Sequence, residues 1–577
     1  MNQKNTDANA ETLSVAITGS GGSGVVTTGQ MLLTAVANAG YHGLMSRSAG
    51  PQIRGGESAV MLRVGTQDVT CLDDRFELMM ALDWLNVSRF AEEIPLDHNS
   101  LIICDPDAGD IPEVISSSGA RVMHVPLTQI AKGITGGRIN MVALGVLADL
   151  LDLPEDSILK VVDQTLAKKG KKVVQSSHQC ISSGYSQEKP FQPAHRLPNP
   201  GQITPRWNIS GNESSGLGAL RGGVRFVAAY PITPASEILE YLAPNLEEVG
   251  GALLQAEDEL ASVNMIIGSS FGGVASLTAT SGPGLSLMME GLGLAVTSET
   301  PVVITNVMRG GPSTGIPTKS EQSDLNISLY GFHGDAPHIV IGALDIRDCA
   351  FATEWAVHLA EQLQTVAIVL SDQSQGQARA VIDPPGRAPQ GKGRKIALPE
   401  GSTYNRYALT DDCVSPMAIP GTKGGIYTAD GLEHNPRGTP SSMPMDHQQQ
   451  LDKRLNKFAG LEHDGHWARI QGEGEACIVT WGSSSGASME AAQRLTAAGT
   501  PVRVIAIRLL MPLPEEDLRQ ALSGATRVLT VEQNHQGQLF HYLHSKKMLP
   551  GSARSLAQPG PLPIRPNAIT RVFEEWH

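Results

Sequence analysis

The sequence predicts an α/β protein with more than one doubly wound domain, on three observations. Short apolar runs of strand length alternate with helix-length stretches along most of the chain, the pattern of sheets joined by right-handed crossovers. Several of those runs give way to glycine, proline or a carboxylate, as happens where the ends of parallel strands deliver residues to a cleft. Finally, 577 residues are too many for one core, and at roughly 150 residues per domain they suggest about three or four. A hydrophobic content of 41% with 61 glycines and 36 prolines fits buried elements joined by short loops.

Leu13 to Thr18 reads as a buried strand entering the turn Gly19-Ser20-Gly21-Gly22-Ser23-Gly24, followed by a helix to about Asn38. Strands are expected at Gly43 to Met45, Ser58 to Val64, Leu78 to Ala81, Leu101 to Cys104 and Val122 to Val125, and a helix at Asn140 to Leu150. These make one α/β domain over 12–185. Five prolines between Gln187 and Trp207 disfavour helix and remove backbone donors, so 186–207 reads as a linker. Alternation resumes over 208–383, with strands at Phe226 to Tyr230, Gly251 to Gln255, Ala275 to Thr280, Val302 to Asn306, His338 to Ile341 and Ala367 to Leu370. Residues 384–471 are polar and rich in proline and glycine, with one helix from Met445 to Phe458, and read as a wrapping segment. The last domain, 472–577, opens on the strand Ala476 to Trp481 and continues through Val502 to Ile507 and Arg527 to Val531.

The charge balance excludes some functions. A net charge of -14 with scattered Lys and Arg leaves no footprint for a phosphate backbone, so nucleic acid is not an expected partner. Met1 to Thr12 is polar, and no apolar run nears the ~18 residues of a membrane span; a soluble cytoplasmic protein is expected. Cys71, Cys104, Cys180, Cys349, Cys413 and Cys477 stand singly, without Cys-x-x-Cys spacing, so they read as isolated thiols rather than cluster ligands.

The spacing of Gly19, Gly21 and Gly24 after a strand matches the dinucleotide fingerprint. A nicotinamide-dependent dehydrogenase would also need an acid at the end of the next strand for the ribose hydroxyl. The chain there reads Leu44-Met45-Ser46-Arg47-Ser48-Ala49, which disfavours that reading. The turn still offers backbone N–H groups at a helix start to an anion, and Arg47 and Arg54 are candidate phosphate contacts.

Chemistry concentrates further on. In Tyr230-Pro231-Ile232-Thr233-Pro234-Ala235-Ser236 two prolines hold one threonine hydroxyl at a strand's end; alternatively Thr233 or Ser236 caps the following helix. Glu257, Asp258 and Glu259 place three carboxylates at a helix start, and composition does not choose among them. Arg309 leaves the apolar run Thr300 to Met308 with a guanidinium able to grip a planar carboxylate.

Together these stretches resemble the thiamine diphosphate-dependent 2-oxoacid:ferredoxin oxidoreductases, in the form with the γ domain fused ahead of the α chain. Gly19 to Val25 and Ser46 to Ser58 resemble the two signatures of the γ domain, with Ser23 where the family usually has Gln. The Tyr230–Ser236, Glu257–Glu259, Ser281–Glu290 and Arg309–Gln322 blocks resemble the α chain, and the likeness covers nearly the whole sequence. It implies three α/β domains: a γ-type domain, a thiamine diphosphate pyrimidine-type domain and a transketolase C-terminal-like domain. It further implies that Glu257 bonds the aminopyrimidine of thiamine diphosphate beside Pro231, Ile232 and Thr233, and that Thr233 faces the bound 2-oxoacid. Arg309 would hold the substrate carboxylate, with Thr314 and Thr318 in the substrate loop. Ser20, Gly21, Gly22, Ser23 and Gly24 become candidate coenzyme A contacts.

The resemblance places Mg and a [4Fe-4S] cluster on a separate β subunit, and the Gly-Asp-Gly motif and cluster cysteines of that subunit are not found here. The chain should therefore act only with a β subunit, in an (αβ)2 assembly that passes electrons to ferredoxin. The expected substrate is 2-oxoglutarate, giving succinyl-CoA, with pyruvate or branched-chain 2-oxoacids as alternatives. A non-catalytic scaffold subunit is the reading from another class. Cys413 and Met417 stand where the family usually has Gly and Arg, and His434 and His535 are expected to be packing or interface groups rather than catalysts.

Overall fold

The computed structural model describes residues 11–50, 56–201, 203–398 and 404–576. Arg54 and the polar residues 1–10 lie outside them. Two compact units divide the chain. One comprises Met1–Ser210, Gln377–Pro384 and Ile564–His577, the other Gly211–Gly376 and Pro385–Pro563.

The first unit is built on an eight-stranded sheet. Arg121–His124, Leu101–Cys104, Leu78–Ala81 and Thr12–Ser20 run parallel in that order, and Leu101–Cys104 and Leu78–Ala81 are apolar and buried throughout, as central parallel strands must be. Glu57–Gly65, His42–Ala49, Arg379–Ile382 and Trp207–Ser210 then follow, each antiparallel to its neighbour. The last two were not expected. Trp207–Ser210 closes the proline-rich segment, and Arg379–Ile382 returns from far along the chain to pair with both it and His42–Ala49. This order also removes the dinucleotide reading. In a βαβ unit the strand after the helix lies parallel beside the first, whereas here the antiparallel strand Glu57–Gly65 stands between Thr12–Ser20 and His42–Ala49.

The second unit holds two sheets. One orders Leu509–Met511, Ile339–Gly342, Val366–Asp372, Val302–Met308, Ser276–Thr280, Phe226–Ala229 and Ala252–Gln255, all parallel except the first. Val302–Met308 is central and buried along its length. The other orders Ala468–Gln471, Val502–Ile507, Ala476–Trp481, Arg527–Glu532 and Arg554–Ala557, parallel after its first pair. One continuous core joins them, running from Val227, Leu277 and Ile304 to Trp481, Val479 and Ile505. The three α/β sheets agree with the three α/β domains expected. Among the described residues, no helix is long and apolar enough to cross a membrane.

Three buried ion pairs, centred on two carboxylates, tie the second unit together. Arg508 donates to both carboxylate oxygens of Asp348, at 3.0 and 2.7 Å, while its guanidinium lies 4.8 Å over the Phe351 ring. Among its described residues the wrapping segment is irregular apart from the helix Pro444–Asn456 and the strand Ala468–Gln471, which joins the smaller sheet; it is pinned through Glu299. This carboxylate is fully buried and receives Lys453 Nζ at 2.6 Å and Lys457 Nζ at 2.8 Å. Burial pushes Glu299 upward, but Lys457 and Lys453 outweigh it and hold the carboxyl down at about 2.

Candidate active site

In the larger sheet the C-terminal ends of neighbouring parallel strands deliver the predicted residues to one edge of the layer. Phe226–Ala229 leads into Tyr230-Pro231-Ile232-Thr233, and Ala252–Gln255 beside it leads into Glu257. The amide of Ala256 donates to Ala229 O at 3.0 Å, so both segments leave their strands at the same level. Ser276–Thr280 leads to Ser281, and Val302–Met308 to Arg309.

Thr233 is exposed, and the helix Ser236–Glu248 has Ala235 at its cap position with no side-chain cap. Neither Thr233 nor Ser236 caps it. The turn is held from behind by Asn212, a fully buried residue that donates from Nδ2 to Pro234 O at 2.8 Å and to Glu237 Oε2 at 3.0 Å. Pro231 and Ile232 are half-buried beside it.

The three adjacent acids divide their roles. Asp258 caps the helix Glu259–Phe271, accepting from the amide of Ala261 at 2.7 Å. Glu259 is buried, its carboxyl packed so close to Gly284 that a Cβ there would lie 2.7 Å from Oε1. Glu257 alone of the three is exposed without a capping duty. It follows the edge strand Ala252–Gln255, which pairs on one side only among the described residues, and near it in the chain Leu254 is 44% and Leu260 51% exposed.

Arg309 is buried and donates from Nη1 to Thr233 O at 2.6 Å. Its Nε is buried with no hydrogen-bond partner among the described residues. Burial pulls its pKa down, and nearby Asp324 opposes this. Asp324 accepts from Asn306 Nδ2 at 3.0 Å and lies against Gly282, the first residue of the helix Gly282–Thr297. Burial raises its carboxyl to about 6, with Asn306 lowering it, Glu321 adding to the rise and Arg309 opposing. Ser281 Oγ and Asn306 Oδ1 are likewise buried without partners among the described residues. Orphaned polar atoms are uncommon in protein interiors, and these sit at the ends of adjacent strands.

The loop after Arg309 is closed at its neck by Gly310 N donating to Lys319 O at 3.0 Å and Ile316 N donating to Gly310 O at 2.8 Å. Gly315 has φ +53, and a Cβ there would lie 1.6 Å from Gly310 O, so only glycine fits. Thr314 is exposed at the tip and Thr318 half-buried near the neck. Gln322 does not face this loop: it is fully buried and turned to the other sheet of the unit.

In the first unit, Ser20–Gly24 forms the turn before the helix Val25–Asn38, which has Gly24 at its cap position and no side-chain cap. Ser20 donates from both its amide and hydroxyl to Asp83 Oδ2 at 2.8 Å. Gly21 N donates to Gly56 O, and Ser23 N to Ser20 O. A carboxylate and two carbonyls thus use the donors of Ser20, Gly21 and Ser23, while Gly21 and Gly22 are exposed. Arg47 is exposed on its strand.

Burial pushes the thiols of Cys104 and Cys477 up, to about 11 and about 12. Cys180 and Cys349 are also buried and Cys71 and Cys413 half-buried, and none of the six forms a disulfide among the described residues. His434 is buried and stacks on Tyr407 at 4.7 Å, as a packing group does, whereas His535 is exposed.

Three family models match in chain order. The pyruvate ferredoxin/flavodoxin oxidoreductase model covers residues 14–187, and the thiamine diphosphate-binding model of pyruvate flavodoxin/ferredoxin oxidoreductases covers 217–453. The transketolase C-terminal domain model covers 465–538. The chain is 31% identical to the α subunit of 2-oxoacid:ferredoxin oxidoreductase 2 from Aeropyrum pernix, over 91% of this chain and 92% of that one. The chain belongs to the 2-oxoacid:ferredoxin oxidoreductase family.

Among other members of the family, the 2-oxoglutarate synthase subunit KorA of Archaeoglobus fulgidus is 36% identical over 56% of this chain and 87% of its own length. A solved 2-oxoglutarate:ferredoxin oxidoreductase from Magnetococcus marinus, with 2-oxoglutarate, coenzyme A and succinyl-CoA bound, superposes with a TM-score of 0.91 at 35% identity. It covers 98% of this chain and 99% of that one. For an oxidoreductase subunit of this family, the departure at Cys413 has a local cost. Its φ is +59, the left-handed region where the usual glycine is unstrained. Met417 is fully buried. Sequence reasoning missed Asn212, Asp324 and Asp83, whose surroundings come from distant parts of the chain. A polar residue within an otherwise apolar block was the available signal for Asn306.

Proposed function

We propose that this chain is the fused γα subunit of an enzyme that oxidatively decarboxylates 2-oxoglutarate to succinyl-CoA, with coenzyme A as acyl acceptor and ferredoxin as electron acceptor. The observation that carries the reading is the buried Arg309 guanidinium, tied to Thr233 O at one end and unpartnered at Nε. A buried cation with an unused donor, at the ends of parallel strands, suits the planar carboxylate of a 2-oxoacid. Thr233 presents its hydroxyl beside it, and Thr314 and Thr318 would meet the rest of the substrate. The similarity of the whole chain to the Magnetococcus marinus structure supports 2-oxoglutarate.

The exposed carboxylate of Glu257, set just past a strand end, fits the aminopyrimidine of thiamine diphosphate. Pro231, Ile232 and Thr233 would line the same ring. When bound, thiamine diphosphate supplies the electron sink for decarboxylation. Glu257 would hold its ring nitrogen and keep a proton on it, while Arg309 and Thr233 fix the substrate.

A β subunit carrying Mg and a [4Fe-4S] cluster would cover Glu257, in an (αβ)2 assembly. Coenzyme A would approach the uncapped helix start through Gly22 and Gly24, since the donors of Ser20, Gly21 and Ser23 are engaged within the turn and by Asp83. The test is co-expression with a β-type chain and assay of carbon dioxide release and viologen reduction. Wild type should be active with coenzyme A, preferring 2-oxoglutarate to pyruvate and branched-chain 2-oxoacids. Glu257→Ala should lose about 10²–10⁴-fold in rate. Undiminished release in Glu257→Ala would refute the assignment, and a preference for pyruvate would correct the substrate.

A further inference from the structure

The segment just after the Arg309 loop is anchored by one residue. Gln322 is fully buried, and every hydrogen-bonding group it has is used on the strand ends of the smaller sheet. Its amide donates to Gln533 O at 2.8 Å, and Nε2 donates to Trp481 O at 2.9 Å. Oε1 accepts from Gln533 N at 2.7 Å and Ser484 Oγ at 3.1 Å, and its carbonyl accepts from Asn534 Nδ2 at 3.2 Å. The site is shaped to receive it. Gly482 has φ +59, and a Cβ there would lie 2.3 Å from Gln322 Nε2. The glycine–serine turn after Ala476–Trp481 thus holds a protein side chain.

Neighbouring contacts point the same way. Gln538 donates to Ser323 O at 2.8 Å and accepts from Asn326 N at 2.9 Å. On the other side, Ser320 Oγ donates to Asp372 Oδ1 at 3.0 Å. The loop's neck, Gly310 to Lys319, therefore begins on one sheet and is fixed three residues downstream to the other. A buried, hydrogen-bonded polar side chain specifies one arrangement where an apolar residue would tolerate several.

We propose that Gln322 is a positioning residue for substrate binding: through Gln322 the transketolase-type sheet sets the geometry of the loop that carries Arg309, Thr314 and Thr318. The proposal rests on the reading that this loop takes the 2-oxoacid. The glutamine touches no substrate itself. A loop misplaced by an ångström loses affinity without changing the chemistry of the reacting groups.

The test uses the chain in complex with its β-type partner and compares Gln322→Met, which keeps length and loses the bonds, with Gln322→Glu, which keeps the Oε1 acceptor. Gln538→Ala is a milder second variant should Gln322→Met fail to fold. Hydrogen–deuterium exchange across 309–319 should quicken in Gln322→Met and less in Gln322→Glu, while the strands Val302–Met308 and Ala476–Trp481 stay protected. KM for 2-oxoglutarate should rise about tenfold with kcat within about twofold, and Gln538→Ala should shift both readouts the same way by less. Unchanged exchange in 309–319 overturns the proposal, as does faster exchange with an unchanged KM when Arg309→Lys raises KM. An Arg309→Lys variant with wild-type KM would instead refute the substrate reading, and with it the role given to the loop.

Discussion

The guanidinium of Arg309 donates to the main-chain oxygen of Thr233 at 2.6 Å, joining the ends of two strands separated in the sheet by Ser276–Thr280. One residue thereby orients the other, and the Thr233 hydroxyl is presented by a backbone that Arg309 holds. Lysine has a single ammonium and cannot keep this bond while offering a forked pair to a carboxylate. Arg309→Lys is expected to lower kcat/KM for 2-oxoacids about 10–100-fold, the worth of a lost charged hydrogen bond. Steady-state kinetics on the reconstituted complex checks this, with thiamine content unchanged.

Asp324 supplies a pH dependence. Its carboxyl titrates at about 6 in the folded chain, above its ordinary 3.8, so the folded protein holds a proton there that the unfolded chain releases. That stabilising contribution is complete below about 3.8 and is lost as pH rises through 6. Ionised Asp324 also offsets the positive field of Arg309 toward an anionic substrate. KM for the 2-oxoacid should therefore rise as pH climbs through about 6, and Asp324→Asn should flatten that limb. A limb that persists in the variant would assign the titration elsewhere.

The loop neck allows a sharper steric test. Gly315→Ala places a methyl group within bonding range of Gly310 O, so the bridge between Gly310 and Ile316 must open. The left-handed backbone adds about 1 kcal/mol of strain for alanine. Substrate affinity should fall while thermal stability stays near wild type, because the loop lies outside the core. Parallel KM and melting measurements separate the two.

Glu299 makes a stability prediction. Glu299→Gln leaves Lys453 and Lys457 buried without a counter-charge, a loss of about 3–5 kcal/mol. Its folded pKa of about 2 lies below the ordinary 4.5. The stabilisation it gives is present above about 4.5 and fades as pH falls toward 2. Denaturation melts at pH 7 and pH 3 should show a smaller gap between variant and wild type at the lower pH.

Strands with continuous apolar runs, such as Leu78–Ala81 and Val302–Met308, were legible because fully buried parallel strands must be apolar along their length. Trp207–Ser210, Arg379–Ile382, Ala468–Gln471, Leu509–Met511 and Arg554–Ala557 were not. They are three or four residues long, several are polar, and their pairing partners lie far away in the chain. At the site, Thr233, Glu257 and Arg309 were legible because prolines, a helix start and an apolar run place them at strand ends. Glu259 is equivalent to Glu257 in composition, and only burial separates them. Gln322 looked like a loop residue because nothing local reports the turn at Gly482 that encloses it.

The strand Arg379–Ile382 sits between His42–Ala49 and Trp207–Ser210, and this sets a timetable for biosynthesis. The ribosome releases the first half of that sheet long before the strand that completes it. Until about 380 residues have emerged, His42–Ala49 carries an open edge able to pair with another nascent chain. Expressing residues 1–187 alone would make this exposure permanent. Such a fragment should aggregate unless a peptide spanning 377–384 is supplied to fill the gap.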